Sequence, residues 1–457
     1  MTFASLPFIF CFIPAFMLIY YIFPFKKRGI VLLLGSLVYY GLNSWEYLIL
    51  LVVSVLFNYL CSYRIYINFN YDDNLSARFL RRRRAWLIVA IIYNIGVLGT
   101  FKYLPCNLIL PLGISFYTFQ MLSFVIDMYN EKYEDGVSLL HFATYAVMFP
   151  QIGSGPITRY TDIAKDIEKP HNTKPKMLEQ GIMTFIIGLS YKALLADKIA
   201  ALWNDVYRVG AYGMDVATAW LGAWGYSMEL YFDFFGYSLM AIGIAMMLGI
   251  KLPDNFDEPY SSKTMTTFWR RWHMTLGQWF RDYLYIPLGG NRKGKLRVVL
   301  NIFIVWMLTA IWHGSTINFA IWGLFLFFIL FLEKTFYGKW MDNTKVIGHI
   351  YMIILIPVSW IIFAISNPTV LLEYLMRMVN IPLDGMVVNG FSKFISLIEM
   401  YWWLILLCIF FATPYPMKVV KKYHKKLPLK VLLFIAFWVS IYELHVTGNN
   451  PFIYFSF

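Results

Sequence analysis

The sequence has few charged residues for its length and few long polar segments. Only 14% of its 457 residues are charged, against about a quarter in a soluble globular domain, and 59% are hydrophobic. The four cysteines, Cys11, Cys61, Cys106 and Cys408, are isolated and form no CxxC pair, so neither a metal site nor a disulfide framework is indicated. The first 24 residues lack a basic start and a small-residue cleavage site, which predicts a retained first membrane span. A soluble domain carrying an anchor is excluded by these features.

The chain contains many long apolar runs. A stretch of about 20 apolar residues spans a bilayer. Runs that reach or approach this length are 3–24, 30–42, 46–63, 85–101, 139–150, 178–196, 216–250, 298–332, 346–366, 399–413 and 430–446. We therefore predict an all-α polytopic membrane protein with roughly 11 transmembrane helices plus re-entrant or amphipathic helices. It should form one integral membrane domain over residues 1–457, with N-terminal helices in 1–100, a core in 101–334 and C-terminal helices in 335–457.

The net charge of +13 is concentrated in basic clusters that flank apolar runs. These clusters are Lys26, Lys27 and Arg28; Arg78 and Arg81 to Arg84; Arg292, Lys293, Lys295 and Arg297; and the six lysines of 418–430. The positive-inside rule predicts that they face the cytoplasm. A membrane location explains the net positive charge, and no nucleic-acid partner is expected.

Two segments carry proline and glycine at apolar positions. Residues 101–127 are interrupted by Pro105, Pro111 and Gly113, and residues 149–157 read "FPQIGSGPI". Non-helical backbone at membrane depth is tolerated only where it is buried in protein or lines a cavity. These segments therefore predict a polar or water-filled interior, with a kinked helix of no functional consequence as the alternative.

The stretch "WRRWHMTLGQWFRDYLYIPLGGNRKG", residues 269–294, is unusually charged for so apolar a chain. Placed on a helical wheel, the apolar face holds Phe268, Trp269, Trp272, Leu276, Trp279, Phe280 and Tyr283, and the polar face holds Arg270, Arg271, Gln278, Arg281 and Asp282. The pattern predicts one amphipathic helix over 268–283, in the membrane plane or re-entrant, with His273 at the edge of the apolar face. Its arginines either snorkel to lipid headgroups or bind a phosphate-bearing anion.

His313 is the single ionisable residue of the run 298–332. An ionisable group at membrane depth is costly and indicates function by default. Burial favours the neutral imidazole, which can accept a proton as a general base. The alternative is a structural histidine that bonds a backbone carbonyl at a helix break.

Two carboxylates, Glu229 and Asp233, are four residues apart in an apolar run and so share a helix face. They could form a structural ion pair with Lys192, Arg270 or Arg271. Alternatively, one of them orients a catalytic histidine.

Six motifs occur in an order typical of one family. They are "PLGISFYTFQMLSFVIDMY", "FPQIGSGPITRY", "LYFDFFGYSLMAIGIA", "TTFWRRWHMTLGQWFRDYLYIPLGGNRKG", "AIWHGSTINFAIWG" and the terminal "NPFIYFSF". Over about 100–334 and again over 450–457, the sequence resembles the membrane-bound O-acyltransferase (MBOAT) family, in its bacterial alginate O-acetylation (AlgI-like) branch. The related D-alanyl transferases of teichoic acids are similar around "WRRWH" and "WHG".

The resemblance implies an MBOAT fold, a ring of helices around a thin centre with funnels from both faces. It implies that His313 is the principal catalytic histidine and His273 the second. Expected substrate- or donor-binding residues are Trp269, Arg270, Arg271, Trp272, Arg281, Asn291, Arg292 and Trp312, and expected supporting residues are Glu229, Asp233 and Arg159. No metal and no bound cofactor are expected.

The resemblance also implies an activity. We expect an O-acyltransferase of the bacterial inner membrane that moves an acyl group, most simply acetyl, from a cytoplasmic thioester such as acetyl-CoA toward hydroxyls of an exported polysaccharide. A secreted or membrane-tethered SGNH-type transferase of the AlgJ or AlgX kind, or a small membrane protein, would be the partner. The rivals are D-alanyl transfer to teichoic acid, a transporter or channel in which His313 relays protons, and a scaffold that supports a secreted transferase.

Overall fold

The computed structural model describes residues 1–70, 77–104, 109–133, 136–153, 155–169, 173–383, 391–448 and 452–453. Every regular element within these ranges is helical, which confirms the all-α prediction. Cys106 and Pro105 lie outside the described residues, as does the terminal "NPFIYFSF" apart from Phe452 and Ile453.

The chain divides into two compact units. Unit 1 comprises residues 1–185 and 238–254, and unit 2 comprises residues 186–237 and 255–457. The predicted single domain, with its divisions near residues 100 and 334, stays a prediction.

Twenty-one α-helices make up most of the described chain, joined in places by short 3-10 and π turns. They are α1 Ile13–Ile22, α2 Arg28–Ser44, α3 Leu48–Asn70, α4 Ala77–Tyr103, α5 Ile114–Tyr129, α6 Leu139–Val147, α7 Phe149–Ile152, α8 Tyr160–Glu168, α9 Pro175–Ser190, α10 Asp197–Gly213, α11 Val216–Met247, α12 Met265–Arg271, α13 Met274–Phe280, α14 Lys295–His313, α15 Ile317–Leu332, α16 Gly338–Asn343, α17 Ile347–Ala364, α18 Pro368–Met378, α19 Phe391–Phe411, α20 Tyr415–Tyr423 and α21 Leu427–Thr447. At seven residues each, α12 and α13 are about 10 Å long and too short to cross a bilayer.

Eight helical stretches of the described chain are long and apolar enough to cross a membrane, by length and composition. They are Phe25–Ile67, Arg78–Tyr103, Val216–Met247, Lys295–His313, Ile317–Asn343, Ile347–Ala364, Phe391–Phe411 and Leu427–Thr447. The chain is thus a multi-pass membrane protein, although the predicted count of roughly 11 is not confirmed. Phe8–Ile22 is apolar but shorter, so the predicted first span also stays a prediction.

The two segments interrupted by proline and glycine meet inside unit 1. Gly113 has a φ of 66°, and a Cβ added there would lie 1.7 Å from the carbonyl oxygen of Ile152. Glycine is required twice over, for the left-handed backbone and for the close approach. Some polar groups beside this contact bond to protein: the Tyr145 hydroxyl donates to the Thr158 carbonyl at 2.8 Å, and Gln151 Nε2 donates to the Tyr145 carbonyl at 2.6 Å. Gln151 Oε1 is buried and has no hydrogen-bond partner among the described residues. The irregular backbone over 149–153 is buried in protein, and the predicted polar or water-filled interior stays a prediction.

One arginine of the 81–84 cluster has a structural role. Arg83 is buried, and its guanidinium donates to Glu131 Oε1 and to the Tyr129 carbonyl, each at 2.7 Å. Arg82 and Arg84 are exposed. The cluster is therefore less available to lipid headgroups than its four consecutive arginines suggest.

In unit 2, the first part of α11 is buried against the end of α9. A Cβ added at Gly236 would lie 2.6 Å from the Gly188 carbonyl oxygen. Small residues allow membrane helices to approach this closely. This contact fixes the turn of α11 that carries Asp233 and Phe234.

Candidate active site

The predicted continuous helix over 268–283 is wrong, because the chain breaks at Trp272 and His273. The helix α12 ends at Arg271 and α13 begins at Met274. Trp272 is extended, with φ −99° and ψ 130°, and His273 is left-handed, with φ 43° and ψ 53°. His273 is therefore presented by a backbone kink rather than by the edge of a helix.

An upstream segment explains the break by hydrogen bonding into it. The Met274 N–H donates to the Asn255 carbonyl at 2.9 Å, and the Asp257 N–H donates to the Arg271 carbonyl at 2.9 Å. Continuing the helix through Trp272 would forfeit these two bonds. Periodicity within 268–283 carries no information about residues 255–257, which is why the helical wheel missed the break.

The side chain of Asn255 fixes the tautomer of His273. Asn255 Oδ1 lies 3.0 Å from His273 Nδ1 and 2.9 Å from Thr275 Oγ1, and it accepts the Thr275 N–H at 3.4 Å. Because a backbone N–H can only donate, the Asn255 atom at this point is its oxygen. Nδ1 of His273 therefore carries a hydrogen, which leaves the lone pair of the neutral ring on Nε2.

His273 is also held neutral by its surroundings. It is 3% exposed, and burial lowers its pKa to about 3. The ring of Phe234 stands edge-on to the imidazole at a centroid distance of 4.8 Å. At physiological pH this histidine is an uncharged ring of fixed orientation.

His313 reaches the site by a different route, as the last residue of α14. It is 4% exposed, and its ring lies 5.2 Å from that of Trp322 and 5.1 Å from that of Phe363, both edge-on. The extended Gly314 follows and ends the helix. The run 298–332 is therefore two helices, α14 and α15, with His313 at the break between them.

Both histidines line one cavity of about 200 Å³. We call it the histidine cavity, and its lining residues are Trp269, Trp272, His273, Leu276, Gly277, Phe280, Arg281, Tyr285, Ile302, Val305, Trp306, Thr309 and His313. The structure thus brings His313 together with four other predicted site residues, which are Trp269, Trp272, His273 and Arg281. Trp312 borders the pair, with its ring 4.9 Å from His313 and 6.4 Å from His273.

The two arginines at the end of α12 do not line the histidine cavity. Arg270 is exposed, and Arg271 donates through Nη1 to Ser261 Oγ at 2.7 Å. Their predicted role in donor binding stays a prediction. Arg281, which does line the cavity, has an exposed side chain paired with Asp282 at 2.7 Å.

Asn291 lies next to a lining residue rather than in the lining. Its Oδ1 accepts from the Tyr285 hydroxyl at 2.6 Å and from Lys334 Nζ at 3.2 Å. Arg292 is exposed in the same loop. The loop therefore supplies positive charge near Tyr285, and the predicted donor contacts of both residues remain untested.

One carboxylate of α11, Asp233, takes part in an ion-pair cluster with Lys192. Lys192 Nζ lies 2.7 Å from Asp233 Oδ1 and 2.7 Å from Asp197 Oδ1, and all three side chains are buried. Asp233 also accepts the N–H of Ile453 at 2.9 Å. Of Lys192, Arg270 and Arg271, the ion-pair partner of Asp233 is therefore Lys192. Glu229 lies one turn earlier on α11.

The expected supporting residue Arg159 belongs to unit 1. It caps the start of α8, where its backbone N–H donates to Asp162 at 3.2 Å. All lining residues of the histidine cavity belong to unit 2. The support predicted for Arg159 stays a prediction.

Glu333 is a residue that the sequence did not reveal. One oxygen accepts the Met265 N–H at 2.6 Å and the Tyr351 hydroxyl at 2.9 Å; the other accepts the N–H and the hydroxyl of Thr266 at 2.8 and 2.6 Å. A carboxylate here satisfies the free N–H groups that begin α12 and matches the helix dipole. Because Glu333 is 68 residues away in the chain from Met265, no local pattern predicts the contact.

The chemistry offered by the histidine cavity is that of proton transfer beside indole and guanidinium donors. Trp269 Nε1 is buried and has no hydrogen-bond partner among the described residues. The described ranges contain no group of three or more His, Cys, Asp or Glu side chains placed to hold a metal ion. Two imidazoles and a buried N–H donor at one cavity are suited to acyl transfer to a hydroxyl.

Comparison with known proteins places the chain in a family. The model of the membrane-bound O-acyltransferase family, MBOAT, matches residues 133–376. The chain belongs to this family. The matched range contains His273, His313 and the whole lining of the histidine cavity.

Three relatives show the range of activities around the chain. It is 33% identical over 401 residues to the probable alginate O-acetylase AlgI of Pseudomonas aeruginosa, covering 80% of this chain and 72% of the relative. It is 32% identical over 443 residues to the peptidoglycan O-acetyltransferase of Helicobacter pylori, covering 84% and 81%. It is 34% identical over 250 residues to the teichoic acid D-alanyltransferase of Bacillus subtilis, covering 53% and 63%.

These relatives are acyltransferases, and the chain is an acyltransferase of the same family. The family predicted from the six motifs, with its AlgI-like branch, is confirmed. The transporter and scaffold alternatives are accordingly set aside as primary functions.

Proposed function

We propose that this acyltransferase moves an acetyl group from a cytoplasmic thioester, such as acetyl-CoA, toward hydroxyls of an exported polysaccharide of the cell envelope. The observation that carries the proposal is the histidine cavity, in which two buried histidines share one aromatic-walled space. The names of the O-acetylating relatives support the acetyl group and the polysaccharide.

In the proposed reaction, His313 accepts the proton of the acceptor hydroxyl. The hydroxyl oxygen attacks the thioester carbonyl, and a tetrahedral oxyanion forms. The carbon–sulfur bond then breaks, and the leaving thiolate takes the proton from the imidazolium. The buried Nε1 of Trp269 is the proposed donor to the oxyanion, because it lies in the lining and has no partner among the described residues.

The role of His273 in this scheme follows from its tautomer. With Nδ1–H given to Asn255, its Nε2 is the acceptor atom of the ring. A neutral imidazole in this cavity can accept a hydrogen bond from the substrate hydroxyl or from a thiol without carrying charge. We assign it to orienting the acceptor beside His313.

The donor side of the proposal rests on charge. Arg281 lines the histidine cavity, and Lys334 and Arg292 lie beside Tyr285 and Asn291 at its edge. Guanidinium and ammonium groups suit the phosphates of a coenzyme A thioester. By the positive-inside rule, the basic clusters of the sequence favour a cytoplasmic location for this side, which supports a bacterial inner membrane as the proposed location.

Acetyl transfer is favoured over D-alanyl transfer by the extent of similarity. The O-acetylating relatives align with 80–84% of the chain, whereas the D-alanyl transferase of Bacillus subtilis aligns with 53%. A partner is part of the proposal, because eight candidate spans make up a large part of the described chain, and we expect little surface outside the membrane on which to hold a polymer. A secreted or membrane-tethered transferase would complete delivery.

The test uses membrane vesicles of known orientation from cells that carry the acceptor polysaccharide. Isotope-labelled acetyl-CoA is added outside inside-out and right-side-out vesicles, and label in polysaccharide is measured. We expect incorporation only in inside-out vesicles, and only when the chain is present. Label entering equally from both faces, or labelled D-alanine entering in preference to acetyl, would refute the assignment.

A further inference from the structure

A second cavity, larger than the histidine cavity, lies in unit 2. Its volume is about 700 Å³ and it shares no lining residue with the histidine cavity. We call it the apolar cavity, and its walls are Ile199, Leu202, Ala217, Trp220, Leu221, Trp224, Gly225, Met228, Tyr260, Ser261, Ile353, Phe394, Ile398, Ile405, Cys408, Ile409, Ala412, Thr413 and Pro414. Nothing in the proposed acyl transfer uses it.

The apolar cavity lies beside candidate membrane spans. Its walls come mainly from α11 and α19, and α17, a third candidate span, contributes Ile353. Two wall residues, Ile353 and Ile409, are 53% and 52% exposed. Because these residues belong to candidate spans, we expect them to face hydrocarbon, which would make the cavity accessible to lipid.

The walls favour a hydrocarbon occupant over a polar one. The polar groups of two wall residues are already bonded within the protein: the Tyr260 hydroxyl donates to the Ser227 carbonyl at 2.7 Å, and the Trp220 indole donates to the Met378 carbonyl at 2.9 Å. A polar molecule entering here would lose its hydrogen bonds to water and gain few in return. A hydrocarbon chain would fill the space with dispersion contacts.

The shape of the cavity suits an extended hydrocarbon chain. Wall residues on α19 run from Phe394 to Ile409, which is 15 residues and about 22 Å at the rise of an α-helix. The wall continues past the end of this helix through Ala412, Thr413 and Pro414. An acyl chain lying along α19 would follow this elongated wall, and a partner's transmembrane helix is the competing occupant that the cross-linking experiment distinguishes.

One end of the apolar cavity is polar and cationic. Ser261 in its wall accepts from Arg271 Nη1 at 2.7 Å, which uses one of the five N–H groups of the guanidinium. The wall also ends at Thr413 and Pro414, where α20 begins.

Exposed lysines follow within two turns of this end, at positions 418, 421 and 422. Ring contacts indicate that α19 ends at the level of the turn that carries Tyr260 and Ser261. Tyr191 lies 5.7 Å from Phe411 of α19 and 5.5 Å from Phe232 of α11, and Tyr260 lies 4.9 Å from Tyr231 of α11. Phe411 and Tyr260 therefore lie at one level of α11.

We propose that the apolar cavity is a binding site for an anionic membrane phospholipid. One acyl chain lies along α19 between α11 and α17, and the phosphate lies at Arg271 and the lysines of α20. Guanidinium and ammonium donors bind phosphate oxygens by charge-assisted hydrogen bonds. Basic residues beside a membrane helix favour anionic over zwitterionic headgroups. The assignment does not depend on which acyl group the enzyme transfers.

The first experiment leaves the protein unchanged. The purified chain is reconstituted with phosphatidylglycerol or phosphatidylethanolamine that carries a photoactivatable diazirine near the end of one acyl chain. After illumination, the cross-linked peptides are mapped by mass spectrometry. We expect cross-links at cavity-wall residues of 217–228 and 394–412, at least threefold more with phosphatidylglycerol.

Variants then locate the two ends of the lipid. Ala412→Trp fills the cavity and should abolish the wall cross-links, while Leu406→Trp, at a 57% exposed position of α19 outside the wall, should leave them unchanged. Arg271→Gln should reduce cross-linking by phosphatidylglycerol to the level of phosphatidylethanolamine. Equal labelling by both lipids, labels spread evenly over the outer face of α19, or a polypeptide found in place of lipid would each overturn the proposal.

Discussion

The two histidines of the histidine cavity are presented by contrasting kinds of backbone. His313 ends a regular helix of 19 residues and is held by the rings of Trp322 and Phe363. His273 lies between two seven-residue helices in a left-handed conformation and is held by a hydrogen bond to Asn255. One position depends on apolar packing, the other on a polar network.

This difference separates what each histidine needs from the rest of the chain. The surroundings of His313 come from neighbouring apolar helices, which tolerate small changes in side-chain shape. The geometry of His273 depends on acceptors and donors at fixed points, and a buried polar network is weakened as a whole when one member is lost. Substitutions at each site should therefore fail in different ways.

The largest effect is expected at the helix-borne histidine. His313→Ala should lower acyl transfer about 10²–10⁴-fold, because a general base is lost, while expression and detergent monodispersity stay unchanged. Polysaccharide acetyl content and thermal unfolding are measured on the same preparation. His349→Ala, in α17 and outside the histidine cavity, is the control. If more than a tenth of the transfer survives in His313→Ala, the catalytic assignment is wrong.

A large loss of stability is expected near His273, at the start of the helix α12 that precedes it. Glu333→Gln replaces a carboxylate that accepts four hydrogen bonds at the start of α12 by an amide with one acceptor oxygen. The free energy of unfolding should fall by about 2 kcal/mol, read as a lower thermal midpoint. Glu399→Gln, at an exposed position of α19, should have little effect. Equal midpoints for the two variants would show that Glu333 does not support α12.

The next effect sharpens the tautomer argument. Asn255→Ala removes the acceptor of the His273 Nδ1–H, and the loss of one such bond, about 1.4 kcal/mol, corresponds to about a tenfold drop in transfer. Asn255→Asp keeps an acceptor and should recover most of the activity, with a pH profile shifted by the added charge. Parent-level transfer in Asn255→Ala would instead mean that the residue acts through its backbone bond to Met274 alone.

A smaller effect should distinguish the arginines near the two histidines. Arg281→Gln should raise the KM for the thioester about threefold to tenfold, because Arg281 lines the histidine cavity. Arg270→Gln, at an exposed position outside the lining, should change it less than twofold. Steady-state kinetics on reconstituted protein would measure both values, and the reverse order would favour the donor role predicted for the end of α12.

The smallest effect is on how the free energy of unfolding depends on pH. The pKa of His273 is lowered to about 3 in the fold, from an ordinary value near 6.5, so the unfolded chain binds the extra proton between these two values. The stabilisation from the neutral ring is complete above about pH 6.5 and is lost as the pH falls below it, by about 1 kcal/mol at pH 5.5. The thermal midpoint should therefore fall less between pH 7.5 and pH 5.5 in His273→Gln than in the parent. An identical fall would place the responsible group elsewhere.

The sequence predicted those features that depend on local composition. The isolated ionisable position of His313 in an apolar run marked it directly, and the i, i+4 spacing of Glu229 and Asp233 indicated a buried charge whose partner is Lys192. The apolar runs predicted an all-helical membrane protein, although run lengths did not give the count of spans.

The features that the sequence did not predict depend on residues far apart in the chain. Asn255 is 18 residues from His273, and Glu333 is 68 residues from Met265. A helical wheel treats 268–283 in isolation, so it could not register the two backbone bonds that interrupt the helix. Single-sequence patterns record periodicity and burial, and not such long-range pairings.

In the proposed mechanism, the left-handed backbone of His273 is a cost to folding that serves activity. Conformations with positive φ cost a side chain other than glycine or asparagine about 1 kcal/mol, so the backbone alone would favour one of those two residues at this position. Selection for thermal robustness, in a laboratory or in a consensus design, would therefore tend to replace His273 at the expense of turnover. A stabilised version of this enzyme should keep that residue fixed and seek its gains elsewhere.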